Sequence, residues 1–195
     1  MPLGEVNAPQ RAAVDHDDGP LLILAGAGSG KTRVITYRIA RLLASGIPPW
    51  QIFAVTFTNK AAQEMRDRVR TLVGADPAGA WISTFHSASA RLIREQPERV
   101  GLTRNFIIYD DGDQARLLKQ ILRDRGIVDR TPAFFRGLFD QRKNAQPDEE
   151  TLDRDPDWDT ISRDVWSIYH RRLRDADAVD FGDLILLALQ IVEED

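Results

Sequence analysis

Ala25-Gly26-Ala27-Gly28-Ser29-Gly30-Lys31-Thr32 follows the apolar run Leu21-Leu22-Ile23-Leu24 and precedes a stretch with helical periodicity. A short buried strand, small residues ending in Gly-Lys-Thr and then a helix make up the sequence pattern of a P-loop. Small residues let the backbone curl until its N–H groups converge on phosphate oxygens, and the dipole of the next helix adds positive potential there. In such a loop Lys31 reaches the terminal phosphates and the Thr32 hydroxyl holds Mg²⁺, so residues 25–32 are the expected nucleotide cradle. Ala25 takes the place of the first glycine of the general pattern and is small enough to pack where strand meets loop. The plainer reading is a glycine-rich turn. The flanking strand and helix patterns favour the P-loop.

Upstream of the loop, Asn7 is placed to cap a short helix that carries Pro9 in its first turn and ends before residues 15–20. On spacing alone Gln10 reads either as an exposed helix glutamine or as an amide whose donor and acceptor match the N6 and N7 edge of adenine. Downstream, Val34, Ile35, Ile39, Leu42 and Leu43 recur at helical spacing over residues 32–44, and Ser45-Gly46-Ile47-Pro48-Pro49 ends that helix. Residues 52–57 read as a second buried strand, which makes a parallel strand–helix–strand crossover. Thr58 or Asn59 caps the next helix, residues 81–85 form a third strand, and residues 106–109 suggest a fourth. From Asp111 the pattern is helical only: 114–125, 133–143, 160–173 and 181–192, with an acidic run at 148–159 expected as a solvated loop. The expected fold class is therefore α/β.

Composition sets outer limits. The chain has 195 residues, of which 43% are hydrophobic and 29% charged, as in an ordinary globular protein with one substantial core or a core and a satellite. The absence of cysteine excludes a disulfide framework and a thiolate metal site, and is compatible with the reducing cytoplasm, the expected location. The apolar runs are too short for a membrane span, and Met1-Pro2-Leu3-Gly4-Glu5 lacks the regions of a signal peptide. The net charge of −4 divides unevenly: 13 Lys and Arg against 10 Asp and Glu through Asp110, then 13 against 20. A balance of +3 in the front part is too small to argue for a polyanionic partner.

Two further stretches narrow the kind of P-loop protein. Thr56-Phe57-Thr58-Asn59-Lys60-Ala61-Ala62-Gln63-Glu64-Met65 and Ser83-Thr84-Phe85-His86-Ser87 both lie where a strand gives way to a helix, which is where doubly wound sheets place ligands. Each offers hydroxyls, a helix start and an aromatic, a combination suited to phosphates and stacked bases. Taken singly, Phe57 and Phe85 read as core aromatics and His86 as a helix-start histidine.

In order, Asn7 to Gln10, Ala25 to Thr32, Thr56 to Met65, Thr84 to Ser87 and Asp180-Phe181-Gly182-Asp183-Leu184-Ile185 closely resemble the UvrD/Rep type of superfamily 1 DNA helicase. The match spans nearly the whole chain. It implies a RecA-like P-loop parallel sheet core, at residues 1–110, with an all-helical inserted subdomain and the return toward the core at 111–195. It implies ATP and Mg²⁺ as cofactors. In nucleotide binding it assigns the adenine to Gln10, the adenine ring face to Arg33 and the phosphates to Ala25, Gly26, Ala27, Gly28, Ser29, Gly30, Lys31 and Thr32, with Mg²⁺ on Thr32. Along single-stranded DNA it places Phe57 as a stacking residue and Thr58, Asn59, Thr84 and His86 at the backbone. A helicase acting at a single-strand/duplex junction in the 3′ to 5′ direction, in DNA repair or replication, is the function so implied.

Gly182 departs from the family's usual acidic residue in this stretch, and the acidic Walker B strand expected some way after Asp183 is not reached by Asp195. Lys31 and Thr32 then form a partial catalytic site. The expectation is an N-terminal fragment that binds nucleotide but does not hydrolyse it alone, its partner being the C-terminal part of the same helicase. A small P-loop kinase and a non-catalytic nucleotide- or DNA-binding module are the alternatives. The first gives no reason for the stretch beginning Thr56-Phe57-Thr58.

Overall fold

The computed structural model of the chain describes residues 6–17, 19–145, 151 and 155–194. It has two units, Met1–Ala88 and Ser89–Asp195, each built on one two-stranded parallel sheet.

In the first unit, α1 (Ala8–Asp15) begins in a capping box: the Asn7 side chain accepts from Gln10 N, and the Gln10 side chain accepts from Asn7 N. Its far end is held by α2 (Lys31–Ala44), from which Arg38 donates to the Ala13 carbonyl at 3.1 Å and Arg41 to the His16 carbonyl at 3.2 Å. These bonds serve carbonyls that a helix end leaves without partners. Strand β1 (Phe53–Thr56) then leads into α3 (Asn59–Val73), with Thr58 rather than Asn59 as the cap, and β2 (Trp81–Thr84) pairs with β1 in the register Phe53↔Trp81 to Thr56↔Thr84. Side chains alternate across a strand, so Ala54 and Ile82 face one way and Phe53 and Trp81 the other. The first face packs on Ile39 of α2 and on Met65 and Val69 of α3, burying apolar groups worth about 1.5–3 kcal/mol each. On the other face Phe53 stays 61% exposed, edge-on to Trp81.

Residues 21–24, expected as a buried strand, are not one. They are in no strand, and Leu22 and Leu24 are 82% and 87% exposed. Apolar character proposes a strand, but only a neighbouring ladder completes it, and among the described residues no strand pairs with this segment.

Helix α4 (Phe85–Glu95) starts directly after β2, and the division between the units falls within it. In the second unit β3 (Ile107–Tyr109) is the fourth strand expected from the sequence. It is followed by α5 (Asp111–Arg125), α6 (Pro132–Ala145), α7 (Thr160–Asp175), β4 (Ala178–Asp180) and α8 (Phe181–Glu193). The strands therefore do not stop at Asp111, as the sequence pattern suggested. β4 pairs in parallel with β3, Ile107↔Ala178 to Tyr109↔Asp180. Three residues, all buried, show no alternation that would reveal a strand in the sequence. Both strands of this sheet run into an Asp-Xaa-Gly-Asp capping box, Asp110 to Asp113 for α5 and Asp180 to Asp183 for α8.

Two apolar clusters fill this unit. One joins Leu118 and Ile121 of α5, Phe135 and Phe139 of α6, and Val165 and Tyr169 of α7; the other joins Ile93, Phe106, Val179, Leu184 and Ile191. Much of the acidic run lies outside the described residues, as do the first five residues that were read for a signal peptide. Its described end is a loop with Pro156 and Asp157 exposed, but it is tied at both ends: Asp155 pairs with the buried Arg142 at 2.6 Å, and Asp159 caps α7 while binding Arg130. No helix among the described residues is long and apolar enough to cross a membrane.

Candidate nucleotide and nucleic-acid site

The loop at residues 25–30 is shaped by two glycines in the left-handed region, Gly28 at φ +75° and Gly30 at φ +88°. Ser29 folds back on Gly26, its Oγ donating to the Gly26 carbonyl at 2.7 Å. Gly30 leads straight into α2, whose first internal bond runs from Val34 N to the Gly30 carbonyl at 3.0 Å. The N–H groups of Lys31, Thr32 and Arg33 thus precede the hydrogen-bonded ladder, which is the arrangement that makes a helix start attractive to anions. Lys31 Nζ donates to the carbonyls of Ala25 and Gly26, 2.7 Å each, and so ties the ends of the loop together. An ammonium carries three donors, and these bonds engage two of them. Thr32 lies in the exposed first turn of α2, with its hydroxyl on the same helix start. Ala27 lies exposed in the turn of this loop and presents only a methyl group.

Gln10 reaches this loop across the chain, its Nε2 donating to the Ser29 carbonyl at 2.9 Å. Its Oε1 meanwhile accepts from Asn7 N at 3.1 Å. A primary amide has two donors and two acceptor positions, so one of each remains uncommitted by these bonds. Asn7, Gln10, Ala25, Ser29 and Lys31 share one cavity of about 250 Å³, together with Ile23 and Leu24. Arg33 is not among its lining residues. It lines a separate cavity of about 520 Å³ with Tyr37 on α2 and with Asp67 and Arg68 on α3.

The parallel register brings the second group of candidate residues to one edge. Thr56 and Thr84 are partners at the carboxyl ends of β1 and β2, so Phe57 and Phe85 leave the sheet side by side, with ring centroids 5.8 Å apart and planes at 49°. Neither is a core aromatic: Phe57 is 91% exposed and Phe85 44%. Thr58 Oγ1 accepts from Ala61 N at 3.1 Å, the bond of a helix cap, and Asn59 is exposed in the first turn of α3. Thr84 is buried, its hydroxyl accepting from Ser87 N at 3.2 Å and donating to Ser87 Oγ at 2.9 Å. His86 is exposed on the first turn of α4.

The bond from Gln10 to Ser29 was not foreseen from the sequence; Gln10 at the third helical position after Asn7 was a usable sign of a capping box, but nothing local points to the loop. Nor does any local signal mark Lys143, Tyr169 and His170, which gather around Asp180 and Asp183 in the second unit.

The sequence profile of the family described as UvrD/REP helicase N-terminal domain matches residues 6–195. Similar proteins include the ATP-dependent DNA helicase PcrA of Bacillus subtilis (strain 168), 41% identical over 98% of this chain and 26% of the relative. PcrA of Staphylococcus aureus (strain Mu50 / ATCC 700699) is 41% identical over 98% of this chain and 27% of its own length. PcrA of Staphylococcus epidermidis is 41% identical over 96% and 26%. The chain thus spans about a quarter of the length of these relatives.

Proposed function

Because the chain belongs to the UvrD/REP helicase N-terminal domain family, we propose that it is the nucleotide-binding front part of an ATP-dependent DNA helicase that moves 3′ to 5′ along single-stranded DNA and opens a duplex junction. One observation carries this reading: a loop with two left-handed glycines runs into the start of α2, its ends tied by Lys31 and its Ser29 carbonyl held by the amide of Gln10. In this proposal the donor and acceptor left on Gln10 read the N6 and N7 edge of adenine. Arg33 packs on the ring. Residues 25–30 and the start of α2 hold the phosphates, with Lys31 turning its third donor to the terminal one.

The Thr32 hydroxyl is of the oxygen-donor type that Mg²⁺ prefers, and its place beside the phosphate cradle fits an ion bridging protein and nucleotide. When bound, that ion neutralises charge on the phosphate oxygens. Phe57 stacks on a base of the single strand, and Thr58, Asn59, Thr84 and His86 follow its backbone. In domain terms, residues 1–110 are the first part of a RecA-like core, and residues 111–195 are the helical insertion and the return toward it. The chain alone binds nucleotide without turning it over, and its partner is the C-terminal part of the same helicase.

Titration calorimetry with ATP and Mg²⁺ on the 195-residue chain and its Lys31→Ala variant tests the reading. A charge-assisted bond contributes about 1.5–3 kcal/mol, which corresponds to about ten- to hundredfold weaker binding in the variant. Equal affinity in two folded proteins removes the P-loop assignment.

A further inference from the structure

The second unit encloses a charge cluster that the nucleotide and DNA readings leave unused. Lys143, near the end of α6, has a side chain only 1% exposed. Its Nζ lies 2.5 Å from Asp180 Oδ2 and 2.7 Å from Asp183 Oδ1. These two carboxylates are the capping box of α8, with Asp183 N donating to Asp180 Oδ1 at 3.0 Å and Asp180 N to Asp183 Oδ2 at 3.2 Å. From α7, Tyr169 donates its hydroxyl to Asp180 Oδ2 at 2.9 Å, and His170 Nε2 lies 3.7 Å from Asp183 Oδ1. Asp140, one turn earlier on α6, also feels the Asp180 charge, with Arg136 of α6 and Asp111 of α5 around it.

The lysine stem follows a path that residue 182 leaves open. A Cβ at Gly182 would stand 2.7 Å from Lys143 Cδ and 3.4 Å from its Cβ. Residue 182 is therefore the one over which the buried ammonium reaches its carboxylates. Position 182 adds no third carboxylate to a site whose single lysine already faces two.

A capping box made of two aspartates is ordinarily solvated, as it is at Asp110 and Asp113, where Arg116 is the exposed counter-charge. Buried, the same box needs a cation of its own. Removing one partner of a buried ion pair leaves an uncompensated charge and costs far more than the intact pair contributes. We infer that Lys143 is a charge latch: it supplies the counter-charge that lets the α8 capping box ionise inside the protein, and so ties α6 and α7 to the end of β4 and the first turn of α8. Without the ammonium, that turn opens. This inference stands independently of nucleotide binding.

Amide hydrogen exchange on the whole 195-residue chain, corrected for intrinsic rates and read at pH 7.5 and pH 4.5, tests the latch in Lys143→Met. Exchange in residues 181–185 is expected to quicken at least tenfold at pH 7.5 while α2 is unchanged. The loss narrows at pH 4.5, because the uncompensated carboxylates take up protons and the repulsion ends. Neutralising them in Lys143→Met/Asp180→Asn/Asp183→Asn restores protection, which a role in packing alone would not produce. Should Lys143→Met fail to fold, the triple variant decides: folded with a protected α8 supports the latch, and unfolded overturns it. Unchanged exchange in Lys143→Met, a loss equal at both pH values, or no recovery in the triple variant each overturns it as well.

Discussion

Gln10 Nε2 and the carbonyl of Ser29 are 2.9 Å apart, so the residue that closes the capping box of α1 also holds the glycine-rich loop at 25–30. The contact runs directly beside Gly30, where an added Cβ would lie 2.9 Å from the same nitrogen. The loop's backbone shape and the amide's position are therefore one geometric requirement.

Gly30→Ala is expected to disturb both. Gly30 sits at φ +88°, a region that costs an L-residue about 1–2 kcal/mol, and the new methyl displaces Gln10 from Ser29. Thermal unfolding should shift downward and ATP affinity should fall together. An unchanged melting temperature with native ATP affinity would show that the loop adapts without Gln10.

Phe57→Ala should weaken binding of a single-stranded oligonucleotide at low salt without altering stability, because the ring is 91% exposed and touches Phe85 rather than the core. Stacking on an aromatic is worth about 1–3 kcal/mol per base, so the expected loss is about five- to hundredfold. Fluorescence anisotropy at low and moderate salt measures it. If the variant binds as the parent does, Phe57 is not a stacking platform.

Phosphate release from the chain alone should not exceed that of Lys31→Ala, with or without single-stranded DNA. In-line attack needs a positioned water and cationic groups that meet the developing charge, and an arginine finger alone is worth about 10³–10⁵ in rate. In the proposed function Lys31 and Thr32 supply part of this. DNA-stimulated turnover that the variant abolishes would sink the view of the site as partial.

Acid should weaken the second unit. The hydrogen bond from Arg130 holds the Asp159 carboxyl far below its ordinary value of 3.8, against the opposing effect of burial and with help from Ser162 N. Burial works to raise Asp183, yet His170 and Lys143 outweigh it and hold that carboxyl low as well. A carboxylate depressed in the folded state stabilises above its unfolded pKa, and the stabilisation drains as pH falls through about 4 toward the folded value. Asp140, raised by burial and by Asp180, acts in the opposite sense and softens the fall. Urea midpoints should fall steeply below about pH 4. Asp159→Ala should remove about 0.5–2 kcal/mol at neutral pH through loss of the α7 cap, and flatten the acid limb. A variant whose acid limb parallels the parent's would exclude Asp159 as a source.

What the residues determined by themselves was local. The glycine-shaped turn at 25–30, the cap at Asn7, the strands β1 and β2 with α3 between them, and the helices α5 to α8 follow from turn chemistry and periodicity, which act between residues a few positions apart, whereas the crossover expected from residues 21–24 through α2 to β1 does not form. The pairing of partners far apart in sequence was decided by the tertiary structure alone. Residues 21–24 have the composition of a strand but no ladder, whereas Ala178–Asp180 has too little pattern to announce one and becomes a strand because β3 lies beside it. Phe57 and Phe85 are equally apolar in core or at an edge, and only the register of Thr56 with Thr84 puts both in solvent at one edge. Lys143 reads as an ordinary charge near a helix end until α6 packs it between Asp180 and Asp183. Hydrogen-bond ladders and buried counter-ions are completed by distant residues, so their presence depends on which surfaces the fold brings together.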